Sequence, residues 1–249
     1  MIEKCLRQDR EALAPFFHRP DDALLLSALQ GYTGRVFLSD CGQSAMAVSR
    51  GFVYLAGRAD EAFFHEAAQM LPAGFLTFSG DPAWLSVARA WGADVEMTRW
   101  SVKTPARFDE KALRAMQPPP GFSLRLGGAD AYRRCVGEKW SEDMASFFAD
   151  EGDFLHRGFL AAAYAGERLV SGCGVYALCD GMAEAEIDTH EDFRRQGLAL
   201  CCGALFLLEC VRRGLRPHWD AMNETSLRIA LRLGFLPGAP YPVVCREGE

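Results

Sequence analysis

The sequence predicts an α/β (α+β) chain in two parts, a smaller N-terminal α/β domain over residues 1–105 and a second α/β domain over 121–249, with a linker at 106–120. Strand-like and helix-like segments alternate in both halves, the pattern of sheets covered by helices. Between the halves, Thr104-Pro105 and Gln117-Pro118-Pro119-Pro120-Gly121 bracket one short helical stretch at 108–116, and consecutive prolines cannot continue a helix. Length and composition agree with this division. At roughly 150 residues per domain, 249 residues suit one large or two modest domains, and 49% hydrophobic with 24% charged residues excludes a disordered chain.

In the first half, Arg35–Leu38 and the run 45–55 carry the β-branched and aromatic content of strands. Residues 61–71 have helical spacing, with Phe63, Phe64, Ala67 and Ala68 on one side. A short apolar strand follows at 74–78, then a helix at 82–91 with Pro82 in its first turn, and a strand at 95–102. No glycine-rich turn follows the strand that ends near Gly57, so this half offers no evident phosphate cradle. The second half opens with a helix at 129–140 and an aromatic stretch holding Phe147, Phe148 and Phe154. Strands at 159–165, 171–178 and Met182–Thr189 lead to a long helix, Leu198–Arg213, a strand at 217–221, a helix at Glu224–Leu233 and a last strand near Val243-Val244. The β-α-β-α-β order of the first half echoes the end of the second, without a tandem repeat in the sequence itself.

The formal charge of −6 argues against nucleic acid held by bulk basicity. Charges scattered through residues 1–22 argue against a signal peptide, and no run of eighteen apolar residues suggests a membrane span. Nine cysteines without a CxxC pair suit reduced, mostly buried thiols, so the expected location is cytoplasmic. Cys173, Cys179 and His190 match no zinc spacing, and no metal is expected. His18, His65, His156 and His218 stand alone and read as packing or surface residues.

The chemistry concentrates where the strand ending at Thr189 turns into the long helix through Arg194-Arg195-Gln196-Gly197-Leu198-Ala199. A helix start offers unpaired N–H groups and the positive end of a dipole, which favours an anion. Gly197 would let a phosphate approach the backbone, and Arg194 and Arg195 would add charge. Downstream, Asn223 sits at an N-cap position, and Gly234 with Phe235 ends the same helix as a glycine C-cap. Strand alternation places Glu184, Glu186, Asp188 and His190 on one face.

Together the two motifs resemble the Gcn5-related N-acetyltransferase (GNAT) superfamily, over about residues 125–240. Its R/Q-x-x-G-x-G/A loop is matched by Arg194 to Ala199, and its Asn-to-LGF helix by Asn223, Ser226 and Leu233-Gly234-Phe235. The wording is most similar to a bacterial group with an added N-terminal domain. The resemblance implies a central mixed, mostly antiparallel sheet flanked by helices and acetyl-CoA as co-substrate. It implies a diphosphate on the N–H groups of Arg195 to Ala199, including Gln196, Gly197 and Leu198. The pantetheine arm would lie along Ile187 and Thr189, touched from the other side by Asn223 and Ser226. The implied reaction moves an acetyl group to the amine of a small-molecule acceptor by direct attack in a ternary complex. Glu184 is the first candidate base and Glu186 the second, with a strand N–H to hold the oxyanion. The family's tyrosine acid is replaced by Ala230, which leaves three readings: unaided thiolate departure, protonation by a group such as Tyr241, or a non-catalytic acyl-CoA-binding sensor. Trp140 and the neighbouring phenylalanines line the acceptor pocket or belong to the core. No nucleic acid or membrane partner is expected, and a homodimer is left open.

Overall fold

The computed structural model describes residues 1–248 and forms two units by internal packing: Met1–Arg99 with the chain from Pro240 onward, and Trp100–Ala239. The first unit begins with β1 (Ile2–Lys4), α1 (Arg7–Glu11), α2 (Ala14–Phe17) and α3 (Ala23–Leu29). It continues with β2 (Arg35–Leu38), β3 (Ser44–Ser49), β4 (Phe52–Gly57), α4 (Glu61–Ala68), β5 (Leu76–Ser79) and α5 (Pro82–Ala90). β1 to β4 are antiparallel neighbours in sequence order, and β5 lies parallel to β4. The run 45–55, expected as one strand, is a hairpin. Arg50 (φ 49°) and Gly51 (φ 79°) are both left-handed, as a two-residue type I′ turn requires, and an arginine in the first turn position hides that signal. Asp60 and Asp81 cap α4 and α5 by accepting from the N–H groups of Phe63 and Trp84. Phe37, Met46, Phe64, Phe78 and Trp84 are fully buried in the core these elements share.

The chain passes into the second unit within β6 (Val95–Ser101). α6 (Glu110–Ala115), capped by Asp109, packs against the long helix α9 (Leu198–Arg213) through buried Leu113, so the stretch between the prolines is part of this unit's packing. β7 (Phe122–Leu126), α7 (Ala129–Gly137), a 3-10 turn (Glu142–Met144) and α8 (Glu151–Arg157) precede the meander β8 (Leu160–Ala165), β9 (Arg168–Cys179) and β10 (Met182–Thr189). After α9 come β11 (Arg216–His218), β12 (Asp220–Ala221) and α10 (Glu224–Leu233). The sheet order is β11-β10-β9-β8-β7, with only the β10–β11 pair parallel. This is the mixed, mostly antiparallel sheet flanked by helices that the sequence implied. β8 is three consecutive alanines at its centre, Ala161 to Ala163, fully buried where Phe206, Leu207 and Cys210 of α9 cover the sheet.

Besides the 45–55 hairpin, two further segments differ from the sequence reading. The strand expected at 217–221 breaks at Trp219, whose buried indole donates to Ser226 Oγ at 2.9 Å, while the Asp220 N–H leaves the ladder for the Glu184 carboxylate. The last strand, β13 (Pro240–Arg246), does not stay with the second half. It pairs antiparallel with β5, Val244 opposite Phe78, and completes the first unit's core.

Candidate functional site

The site forms where β10 and β11 part. Their parallel ladder has three rungs, Met182–Glu184 opposite Arg216–His218, and stops there. β10 runs on to Thr189, held by β9 alone on one side. His190 donates its N–H to the Val170 carbonyl across that ladder at 2.9 Å. By the two-residue alternation of an antiparallel pair, the backbone groups of Ala185 and Ile187 therefore point to the opposite, open edge. Thr189 shares that parity, but its N–H goes to Asp188 Oδ1 (2.6 Å) and its carbonyl to Arg194 Nε (3.0 Å). Its hydroxyl, 2.7 Å from Ser171 Oγ, is buried. Ile187 turns the other way to its acidic neighbours, toward Gly203 of α9, where a Cβ would stand 3.7 Å from Ile187 Cδ1 and 2.6 Å from Leu233 Cδ1 of α10. The missing side chain at Gly203 is what brings both helices and the strand together.

The turn after β10 is exposed from Arg194 to Gly197, while Leu198 is buried and anchors the helix. Gly197 has φ 80°, no atom within 4 Å of where a Cβ would stand, and no side chain capping α9. The first-turn N–H groups of α9, from Leu198 and Ala199 on, lack helical acceptors by construction and face this open space. Arg195 adopts φ 62°, a conformation that costs a non-glycine residue about 1–2 kcal/mol. Gln196 lies between these two left-handed residues. Arg194 folds back on Thr189 and stands 3.9 Å from Asp188.

The other face of β10 carries the carboxylates. Glu184, at the last rung, is buried; its Oε1 accepts from the Asp220 N–H at 3.1 Å and its Oε2 pairs with His218 Nδ1. Glu186 and Asp188 are half-buried beside Gly174 and Gly172 of β9. A Cβ on Gly174 would lie 2.0 Å from the Met144 carbonyl oxygen, and one on Gly172 would lie 2.8 Å from Met144 Sδ. These glycines let the 3-10 turn lie directly on the sheet, as a wall next to the two carboxylates. Burial pushes the Asp188 carboxyl up; the Thr189 N–H and then Arg194 pull back less than burial raises it, and Asp143 on the wall adds a last, smaller push upward. Phe147, Phe148 and Phe154 meet edge to face at 5.2 and 5.3 Å as core, and Trp140 meets His190 edge-on at 5.6 Å.

Asn223 caps α10, its Oδ1 accepting from the Ser226 N–H at 2.9 Å, and Ser226 Oγ accepts from Trp219. Ala230 is fully buried. Tyr241 lies in the first unit, its ring 4.8 Å from the Arg19 guanidinium. Among the described residues no group of three His, Cys, Asp or Glu is arranged to hold a metal, and no helix is long and apolar enough to cross a membrane. Sequence reasoning missed His218, which gains its meaning from a register partner 34 residues away, and missed the Gly172–Gly174–Met144 contact. Small residues on alternate positions of β9 were the available signal.

The profile of the GNAT acetyltransferase family matches residues 14–244. The uncharacterised N-acetyltransferase YdfB of Bacillus subtilis (strain 168) is 28% identical over 175 residues, 68% of this chain and 65% of the relative, so the chain spans just under two thirds of that protein's length. A GCN5-related N-acetyltransferase-like protein from Streptococcus suis 89/1591 superposes with a TM-score of 0.86 at 28% identity, covering 97% of this chain and all of the other. A GCN5-related N-acetyltransferase from Kribbella flavida shares the fold at a TM-score of 0.58 and 18% identity, covering 90% of this chain and 95% of that one. Because the family match begins at residue 14 and ends at 244, it takes in the first unit as well as the fork, and the whole chain belongs to the GNAT acetyltransferase family.

Proposed function

We propose that the protein is an acetyl-CoA-dependent N-acetyltransferase that acetylates the amine of a small molecule by direct attack in a ternary complex. The observation that carries this reading is the uncapped, Gly197-headed start of α9 lying next to the unpaired edge of β10. These residues fit the co-substrate. A diphosphate would be held by the N–H groups from Arg195 through Gln196, Gly197 and Leu198 to Ala199, with the Arg194 and Arg195 charges nearby. The open backbone groups of Ile187 suit an amide-bearing arm added like a strand, with Thr189 closing the far end of that edge and Asn223 and Ser226 on the α10 side. Bound acetyl-CoA supplies an acyl group activated as a thioester.

An amine with a pKa near ~10 must lose a proton before it attacks, so a base near the fork is needed. Glu184 is our first assignment, with its Oε2 paired to His218 Nδ1, so that a proton taken there is shared with the imidazole. Glu186, on the same face and beside the Met144 wall, is the second. A departing thiol with a pKa near ~8.5 can leave as thiolate, which suits a site whose tyrosine position is the buried Ala230.

Calorimetry with coenzyme A and thiol release across an amine panel test the reading. We expect the wild type to bind coenzyme A, Gly197→Asp to lose binding, and Glu184→Gln to keep binding while turnover falls about 10²–10⁴-fold. Equal coenzyme A affinity in wild type and Gly197→Asp would remove the donor-site assignment. A second reading, a non-catalytic acyl-CoA sensor, is favoured by the internal bonds that occupy Glu184; it predicts binding without thiol release for any amine.

A further inference from the structure

The first unit repeats the element order of the second. In each, an antiparallel meander (β2-β3-β4 or β8-β9-β10) leads to a helix, a parallel strand and a second helix. In each, the parallel ladder is three rungs long: Phe52–Tyr54 on Thr77–Ser79 here, Met182–Glu184 on Arg216–His218 there. Past the last rung, β4 continues through Gly57 while the chain leaves β5 at Gly80 for the α5 cap. The first unit therefore has its own wedge between diverging strands, and a pocket of ≈ 400 Å³ occupies it, within the roughly 300–1,000 Å³ of small-molecule sites.

This wedge cannot take a nucleotide as the other does. The Asp60 side chain already accepts the Phe63 N–H in the first turn of α4, whereas the start of α9 is uncapped, and a phosphate near Gly57 would meet Phe16, whose Cδ1 is 3.1 Å from the Cβ position. What remains is a short pocket lined by Phe16, Phe17, Leu55 and Ala56 together with polar groups. Ser79 lines it and is 3% exposed, and its hydroxyl has no hydrogen-bond partner among the described residues. A buried hydroxyl left unpaired is costly, and a ligand acceptor would satisfy it once the Ser79 side chain, sealed from solvent, rotates toward the pocket. Arg19 lines the same pocket, with Nη1 3.3 Å from Asp22 Oδ2, a hydrogen bond to Tyr241, and its guanidinium over the rings of Tyr54 and Tyr241. That fork of five donors has capacity for a second carboxylate. Asp81, the acidic lining residue, has Oδ1 committed to the Trp84 N–H at 2.9 Å.

We propose that the wedge of the first unit is a second small-molecule site, which takes an organic acid with an apolar body, its carboxylate toward Arg19 and Ser79 and its body against Phe16, Phe17 and Leu55. This site does not depend on the donor-site reading.

The test is calorimetry on the full-length chain with benzoate, phenylacetate and hexanoate, and with benzylamine as the cationic control. We expect saturable binding of at least one acid at one per chain, retained in Gly197→Asp, with no binding of benzylamine. Arg19→Gln is expected to weaken the acid about tenfold or more, since a charge-assisted pair is lost. Ser79→Val, which blocks the wedge from the other strand and leaves Arg19 in place, is expected to abolish binding and covers the case in which Arg19→Gln does not fold. No saturable binding of any of the three acids, binding unchanged in the folded variants, or equal binding of benzylamine would each overturn the proposal.

Discussion

At the level of single residues, type and parity were enough to put Glu184, Glu186 and Asp188 on one face of β10, because a strand alternates whatever it pairs with. Their different circumstances came from partners far away in sequence. Glu184 meets His218 and the Asp220 N–H, so it fastens the fork as well as standing at it. Glu184→Ala should leave both partners unmatched and cost about 1–3 kcal/mol, whereas Glu184→Gln should melt close to wild type. Denaturant titration of the two variants separates the fastening role from loss of turnover. Asp188 gives a pH prediction. Its folded carboxyl holds a proton more tightly than the unfolded one, whose pKa is near ~3.9, because burial outweighs the Thr189 N–H and the Arg194 charge that favour the carboxylate. Above the folded value the charged form therefore costs stability, and falling pH relieves that cost as the carboxyl protonates. Asp188→Asn should melt higher than wild type at pH 7, with the advantage shrinking as the pH falls into the carboxylate range. A constant difference across thermal melts from pH 7 to pH 4 would contradict it.

Elements held together by local signals were legible. β10, α9 and α10 have the bounds their sequence implied, and α10 begins at Asn223 and ends at Gly234 because those two residue types suit a β-region N-cap and a left-handed C-cap. The β3–β4 hairpin was not legible, since Arg50 stands before Gly51 where an Asn or Asp would have announced the turn. Nor was the wall over β9, where Gly172 and Gly174 read as weak strand formers until Met144 is seen lying on them. Gly174→Ala drives a Cβ into the backbone at Met144, not into a yielding side chain, so it should cost about 1–3 kcal/mol. Because the wall lies on the carboxylate face, its displacement should raise KM for the amine more than KM for the acyl donor. Steady-state kinetics with each substrate varied in turn checks the split.

For the molecule as a whole, the decisive feature is where β13 goes. Val243, Val244 and Cys245 are buried, and the strand covers the edge of β5. Ending the chain at residue 239 should therefore strip the first unit of a core strand and expose a long edge. We expect such a truncation to lose the cooperative thermal transition of that unit and to aggregate; a melt with unchanged transitions would show that β13 is dispensable. By itself, the sequence determined the α/β class, the strand–turn–helix headed by Gly197, and the family resemblance, because each rests on residue types and spacings that neighbouring stretches of chain display. Tertiary structure decided which edge β13 covers, which partner Glu184 keeps, and that the echo of element order between the halves extends to a three-rung parallel ladder in each unit. Those outcomes depend on register between strands far apart in the chain, and hydrophobic alternation reads the same whichever edge the strand finally joins.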